Sequence, residues 1–362
     1  MATATGAINL SQGFPDFAPD AALLQAVEEA MAAGLNQYAP MPGLPALREQ
    51  IALQIEKREG YRPAADEEVT VTSGATEALF AAITALVQPG DEVILLEPAY
   101  DSYLPAVTLA GGKPVFLSLT APDFRPDWNR VAAALTPKTR LLILNNPHNP
   151  SGKTLKAEDL SALEQILEQQ EFYVLGDEVY EHMVYDGKDH LSLLSRPNLR
   201  QRSIVTGSFG KSLHVTGWKT GYAIAPASLT RELRKVHQYV VFCPPHPLQA
   251  GIAAYMTRKP DFGEALASFY QRKRDLFANA MKESKFRPLP SEGSYYQLYN
   301  FDELAPQMGE LAFAEWLTKT HGVATIPLEP FYHSGLRQGL VRFCFAKKDE
   351  TLLKAAEILC KI

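Results

Sequence analysis

From Glu68 onward, short apolar runs alternate with longer stretches of helical period, and this alternation restricts the fold more than any other feature of the chain. Short runs rich in Val, Ile and Leu without a polar face read as strands buried on both sides, and the helices between them must cover the sheet. The result is an α/β architecture. The expected strands are Val69–Thr72, Val93–Glu97, Pro114–Leu119, Leu141–Asn145, Tyr173–Gly176, Ile204–Gly207 and Tyr222–Ala225. The expected helices are Thr76–Leu86, Trp128–Leu135, Ala157–Gln169, Leu229–Tyr239 and Leu248–Met256. Turn signals such as Pro89-Gly90-Asp91 and Gly111-Gly112 stop one element before the next begins.

After about residue 260 the rhythm changes to a charged helix at Tyr270–Met281, a strand at Tyr295–Tyr299, a helix at Leu311–Thr320, a strand at Leu340–Phe345 and a final helix. This predicts a smaller second domain of residues 1–19 and 261–362 beside a large domain of residues 20–260. A chain of 362 residues is long enough to need both.

Composition removes several function classes. The net charge is −6 and the Lys and Arg residues are scattered, which disfavours nucleic acid and anionic membrane as partners. Cys243, Cys344 and Cys360 lack the paired spacing of a zinc site or a disulfide framework, so no metal is expected and a reducing compartment fits. The start, MATATGAINL, does not read as a signal peptide, and no apolar run approaches the ~20 residues of a membrane helix. The expected location is cytoplasmic.

The polar and glycine-rich clusters fall just after strands, where an open α/β sheet places its ligand site. Gly152-Lys153-Thr154 and Gly210-Lys211-Ser212 imitate the end of a phosphate-binding P-loop, but Pro147 and Val205 stand where its first glycine belongs. A dinucleotide fingerprint is absent too.

Thr72-Ser73-Gly74-Ala75-Thr76 closes a strand and opens a helix, so its amides suit a phosphate; an ordinary helix cap is the plainer alternative. Lys211 lies in a glycine-flanked loop after a strand, as a Schiff-base lysine must, although most loop lysines are solvated charges. Asp177 ends a buried strand, with Tyr180 three positions on; a pyridinium nitrogen would partner the carboxylate, and a helix cap is again the alternative.

Asn145-Asn146-Pro147-His148-Asn149-Pro150 forms a rigid turn open to cis peptides. Tyr100 offers an aromatic face at the same edge, unless it is a core or surface tyrosine. A phosphate cradle, aromatic face, asparagine turn, buried carboxylate, tyrosine and lysine at the strand ends of one sheet point to a single site.

INLSQGFPDF, NQYAPMPGLPALR, VTVTSGATEAL, EPAYDSY, NNPHNPSGK, GDEVYEH, SFGKS, TGWKTGY and VRFCFAKK together resemble class I aminotransferases of pyridoxal 5'-phosphate (PLP) fold type I, from Ile8 to the C-terminus. The branch they resemble contains kynurenine aminotransferases, glutamine transaminase K and bacterial methionine-preferring aminotransferases. Lys219, where the broader class usually has arginine, selects it.

The resemblance implies an aspartate aminotransferase-like α/β fold, with a mixed, mostly parallel seven-stranded sheet and a smaller α+β domain. It implies that Lys211 holds PLP and shuttles protons, that Asp177 pairs with the ring nitrogen, and that Tyr180 and Asn149 bond the ring hydroxyl. Tyr100 would stack on the ring. Ala75, Thr76, Ser208 and Lys219 would hold the phosphate, joined by Tyr38 of a second copy in a homodimer. Arg342 would clamp the substrate carboxylate, beneath Gly13, with Asn149 beside it. Phe14, Phe242 and Tyr332 suggest an apolar side-chain pocket.

Amino acids and 2-oxo acids are the substrates implied, methionine foremost. The rival expectations are a PLP-dependent cysteine-conjugate β-lyase and a non-catalytic PLP-fold sensor. Family members usually carry a longer segment before the INLSQGFPDF motif, and the seven residues here are expected to weaken dimer contacts or small-domain closure.

Overall fold

The computed structural model describes residues 1–362. Seven strands form the main sheet: β1 Val69–Thr72, β2 Glu92–Glu97, β3 Lys113–Ser118, β4 Thr139–Asn145, β5 Tyr173–Asp177, β6 Ser203–Ser208 and β7 Gly221–Ile224. Their spatial order is β1-β7-β6-β5-β4-β2-β3, parallel throughout except for β7, which is antiparallel to both neighbours. The expected mixed, mostly parallel sheet is therefore present, with each strand within two residues of its expected bounds.

Burial on both faces explains the unbroken apolar runs. Leu142 and Leu144 enter the core on one side of the sheet, while Leu141 and Ile143 enter the core on the other. Against the second face lies the helix Gly74–Leu86, whose Ala78, Ala81 and Ala82 are fully buried and allow close approach.

A separate four-stranded antiparallel sheet runs Ile326–Pro327, Leu340–Cys344, Tyr296–Asn300, Arg287–Pro288. Its core gathers Leu10 with Tyr270, Phe277, Phe343, Phe345 and Leu352, so the N-terminal segment packs with the C-terminal third of the chain. Ile8–Asn9 also pairs in parallel with Val323–Ala324. Tyr180, Met183 and Tyr185 join this core from the loop after β5.

The charged helix spans Glu264–Ala280, starting earlier than its apolar period suggests because its first turn is largely solvent-facing. Two helices, Ala21–Ala32 and Pro45–Glu59, precede the alternation that begins at Glu68 and lie outside its reach. No helix is long and apolar enough to cross a membrane.

Candidate active site

Strands β1, β2, β4, β5 and β6 point the same way, so their C-terminal ends meet along one edge of the sheet. A cavity of about 200 Å³ opens there, lined by Ala75, Thr76, Tyr100, Asn149, Asp177, Tyr180, Ser208, Lys211 and Lys219 among others. These are nine of the residues singled out from sequence, and the fold brings them together.

Asp177, at the end of β5, is 4% exposed. Its Oδ2 accepts a hydrogen bond from the Tyr103 hydroxyl at 2.5 Å, while its buried Oδ1 has no partner. Burial pushes this carboxyl up to about 6, against the opposing pull of Tyr103. An unpartnered carboxylate oxygen lining a cavity calls for a cationic or N–H group.

Lys211 sits on the short turn Phe209–Ser212 that follows β6. Its Nζ donates to the Tyr295 hydroxyl at 2.8 Å and to the Gly13 carbonyl at 3.4 Å, and Tyr295 in turn donates to that carbonyl at 2.6 Å. Burial pushes the amine down to about 8, which makes the neutral, nucleophilic form accessible near physiological pH.

At the opposite end of the cavity the helix Gly74–Leu86 presents its first-turn amides. The neighbouring β7 can approach them only because residue 221 is glycine: a Cβ there would sit 2.7 Å from the Ala75 nitrogen. Lys219 adopts a left-handed conformation, φ 49°, and its Nζ lies 3.5 Å from where a Cβ on Gly74 would stand. Helix amides, the nearby Ser208 and an ammonium make an anion cradle.

Arg342 lies on Leu340–Cys344 of the second sheet and is bonded into the cavity edge. Its Nη1 donates to Asn149 Oδ1 at 2.6 Å and its Nη2 to the Ser11 carbonyl at 3.2 Å. Its guanidinium lies 3.9 Å from the centre of the Tyr296 ring, and its Nε is buried without a partner. Asn149 is fixed by its own backbone N–H, which donates to Asn145 Oδ1 at 2.6 Å. The peptides before Pro147 and Pro150 are both cis.

Four expected residues lie apart from this cavity within the chain: Tyr38, Phe14, Phe242 and Tyr332. Tyr38 is 83% exposed and meets Phe242 edge to face, ring centres 5.5 Å apart. Phe14 is exposed, with the Lys347 ammonium over its ring. Tyr332, in contrast, is buried and spends its hydroxyl on the Leu119 carbonyl, so it does not line the cavity. Gly13 reaches the site through its carbonyl alone.

Tyr103, Tyr295 and Tyr296 touch Asp177, Lys211 and Arg342 respectively, and the sequence patterns did not single them out. Tyr103 closes the quoted EPAYDSY motif. Tyr295 and Tyr296 begin the strand run, and nothing in its apolar pattern marks them out.

The residues present fit a pyridoxal phosphate group: an anion cradle at a helix N-terminus, a buried carboxylate oxygen awaiting a cation, and a lysine whose amine is readily deprotonated. Comparison with known proteins points the same way. The aminotransferase class I and II family model matches residues 5–359. A methionine aminotransferase of Escherichia coli is 49% identical over 353 residues, covering 98% of this chain and 91% of its own length. The mouse kynurenine–oxoglutarate transaminase 1 is 35% identical over 386 residues, covering 98% of this chain and 91% of its own. A crystal structure of an Escherichia coli protein with a methionine aminotransferase function superposes with a TM-score of 0.98 at 48% identity, covering 100% of this chain and 94% of the other.

Proposed function

The chain belongs to the class I and II aminotransferases, PLP-dependent enzymes with an aspartate aminotransferase-like fold, and from that premise we propose how its residues work and which amino acid it prefers. The enzyme moves an amino group from an L-amino acid to a 2-oxo acid in two half-reactions. PLP supplies a carbonyl for the amino group and a ring that stores the electron pair left when the α-proton departs.

Ala75, Thr76, Ser208 and Lys219 would hold the phosphate, while Asn149 and Tyr180 would bond the ring hydroxyl and Tyr100 would cover the ring. Asp177, whose Oδ1 has no partner in the chain, would pair with the ring nitrogen and favour its protonated form. Arg342 and Asn149 grip the substrate carboxylate, since a planar guanidinium suits two parallel hydrogen bonds. Gly13 closes over them. Lys211 would hold the cofactor's carbonyl carbon and, once its amine is free, would take the substrate's α-proton and give it back. Its amine, already held near neutrality by burial, needs little further desolvation for this.

The observation that carries these assignments is the pairing, in one cavity, of a lysine pushed down to about 8 with a buried carboxylate pushed up to about 6. Residues 20–260 form the cofactor-binding domain in this reading, and residues 1–19 with 261–362 the domain that carries Arg342. Support comes from the separate core shared by Leu10 and the C-terminal third.

We assign methionine as the preferred donor, with aromatic amino acids also accepted. The name of the Escherichia coli relative and the kynurenine transaminases among the matches support this. The exposed Tyr38, Tyr239 and Phe242 support a homodimer in which Tyr38 completes the phosphate site of the other copy. Three unpaired cysteines support a cytoplasmic location.

A panel of amino donors, followed by the cofactor's spectral change with Lys211→Ala as control, tests the whole assignment. Methionine should give the highest kcat/KM and Lys211→Ala should be inert. Activity of the mutant equal to wild type overturns the assignment of Lys211, and intersecting initial-rate lines overturn the two-half mechanism.

A further inference from the structure

Lys347 is among the most completely buried side chains in the molecule, at 2% exposure, yet it pairs with no carboxylate. Its Nζ donates to two backbone carbonyls, Phe14 at 2.6 Å and Gln12 at 3.3 Å, and lies 4.2 Å from the centre of the Phe14 ring. Burying an ammonium against carbonyl dipoles alone is costly, and an apolar side chain would fill the same space without that cost.

What Lys347 holds is the segment on either side of Gly13. The carbonyls of residues 12 and 14 turn to Lys347, whereas the carbonyl of residue 13 turns to the Tyr295 hydroxyl and to Lys211 Nζ. One residue before, the Ser11 carbonyl accepts from Arg342. The segment is tied further at both ends: the Leu10 carbonyl accepts from the Cys344 amide at 2.8 Å, and the Asp16 carboxylate accepts from the Lys348 amide at 2.5 Å and the Thr351 hydroxyl at 2.7 Å. Residues 10–16 thus run along residues 342–351, and Lys347 supplies the anchor where main-chain pairing is absent.

We propose that Lys347 is a positioning residue that pins Gln12 and Phe14 so that Gly13 stays over Lys211 and Arg342, making residues 11–14 a fixed roof over the amino-acid site. This rests on the aminotransferase reading above. The roof is carried by the same chain segment as Arg342, so the carboxylate clamp and its cover arrive as one unit. Because a roof of this kind holds the bound amino acid and its transition state alike, its loosening falls on KM rather than on kcat.

The test compares wild type with Lys347→Met, which keeps the length and removes the charge, and with Asp16→Ala, which frees the same segment from its part-exposed end. Donor KM and kcat are measured together with hydrogen exchange at residues 11–16 in the cofactor-loaded protein. Expected for K347M is a rise in donor KM of about tenfold or more, with kcat changing less than about threefold, and faster exchange confined to residues 11–16. D16A should move both readings the same way by less.

A merely structural role would reduce the folded fraction, lowering apparent kcat with KM unchanged; that result, or unaltered exchange at 11–16 in both variants, overturns the proposal. If K347M does not fold, D16A alone decides on the same two readings. If wild type accepts no amino donor, the reading of function fails instead, and exchange at 11–16 still decides whether Lys347 anchors the segment.

Discussion

Asp177→Asn should stabilise the cofactor-free protein, although it removes the carboxylate assigned above to the cofactor's ring nitrogen. Burial moves the Asp177 carboxyl from 3.8 to about 6, and at ~1.4 kcal/mol per pH unit this corresponds to about 3 kcal/mol. The folded carboxyl holds its proton to higher pH than the unfolded one. Its contribution to stability is therefore fully present below pH 3.8 and lost as pH rises through about 6. Above that, the ionised group costs the folded state about 3 kcal/mol.

Asparagine never ionises, and it can still accept from Tyr103. At pH 8 the variant without cofactor should thus be more stable than wild type by up to ~3 kcal/mol, a rise in Tm of roughly 5 °C for a chain of this size. At pH 5 the advantage should shrink to about half. Loading PLP should reverse the order, because Oδ1 then gains a cationic partner that the amide cannot match. Differential scanning calorimetry from pH 5 to 8, with and without PLP, reads all of this. A Tm difference that is flat across this range, or a wild type that is the more stable at pH 8 without cofactor, refutes the account of Asp177 as a buried charge awaiting a partner.

Arg342→Gln should lower kcat/KM for every amino donor by roughly thirtyfold to several thousandfold, the ~2–5 kcal/mol expected when one side of a buried charge pair is removed. A bulk spectral titration should show PLP binding unchanged, and an equal loss of PLP affinity would argue against a substrate role. Gly13→Ala puts a Cβ 1.8 Å from the Tyr296 hydroxyl, so the loop must lift; steady-state assays should show donor KM raised at least tenfold.

Much of the sheet was legible because strands buried on both faces are written mostly in apolar residues. Leu141-Leu142-Ile143-Leu144 has no second reading once Asn145 and the turn behind it are seen. The first-rank site residues were legible for a related reason: Asp177 and Lys211 each follow such a run, at a place where a charged residue needs a partner. Tyr295 was not legible, because its meaning depends on Lys211, 84 positions away, and on Gly13, 282 positions away. Lys347 was hidden in the same manner. In sequence it is one of two adjacent lysines before a helix, and only packing makes it the buried one, with Lys348 left exposed.

The charge of the site also runs against that of the chain. The net charge is −6, yet the cavity is lined by Lys211 and Lys219 against the single carboxylate of Asp177, with Arg342 bonded to Asn149 at its edge. With all four ionised, the site carries an excess of positive charge inside a negative molecule. An empty cavity of that sign is unfavourable, and burial answers by drawing the Lys211 amine down to about 8. In the proposed reading the cofactor's phosphate near Lys219 and the substrate's carboxylate near Arg342 would remove the excess. Those anions offset the downward pull of Lys219 and Arg342 on the lysine between them, so burial is the cause that still favours its neutral amine, the form that can act as a base.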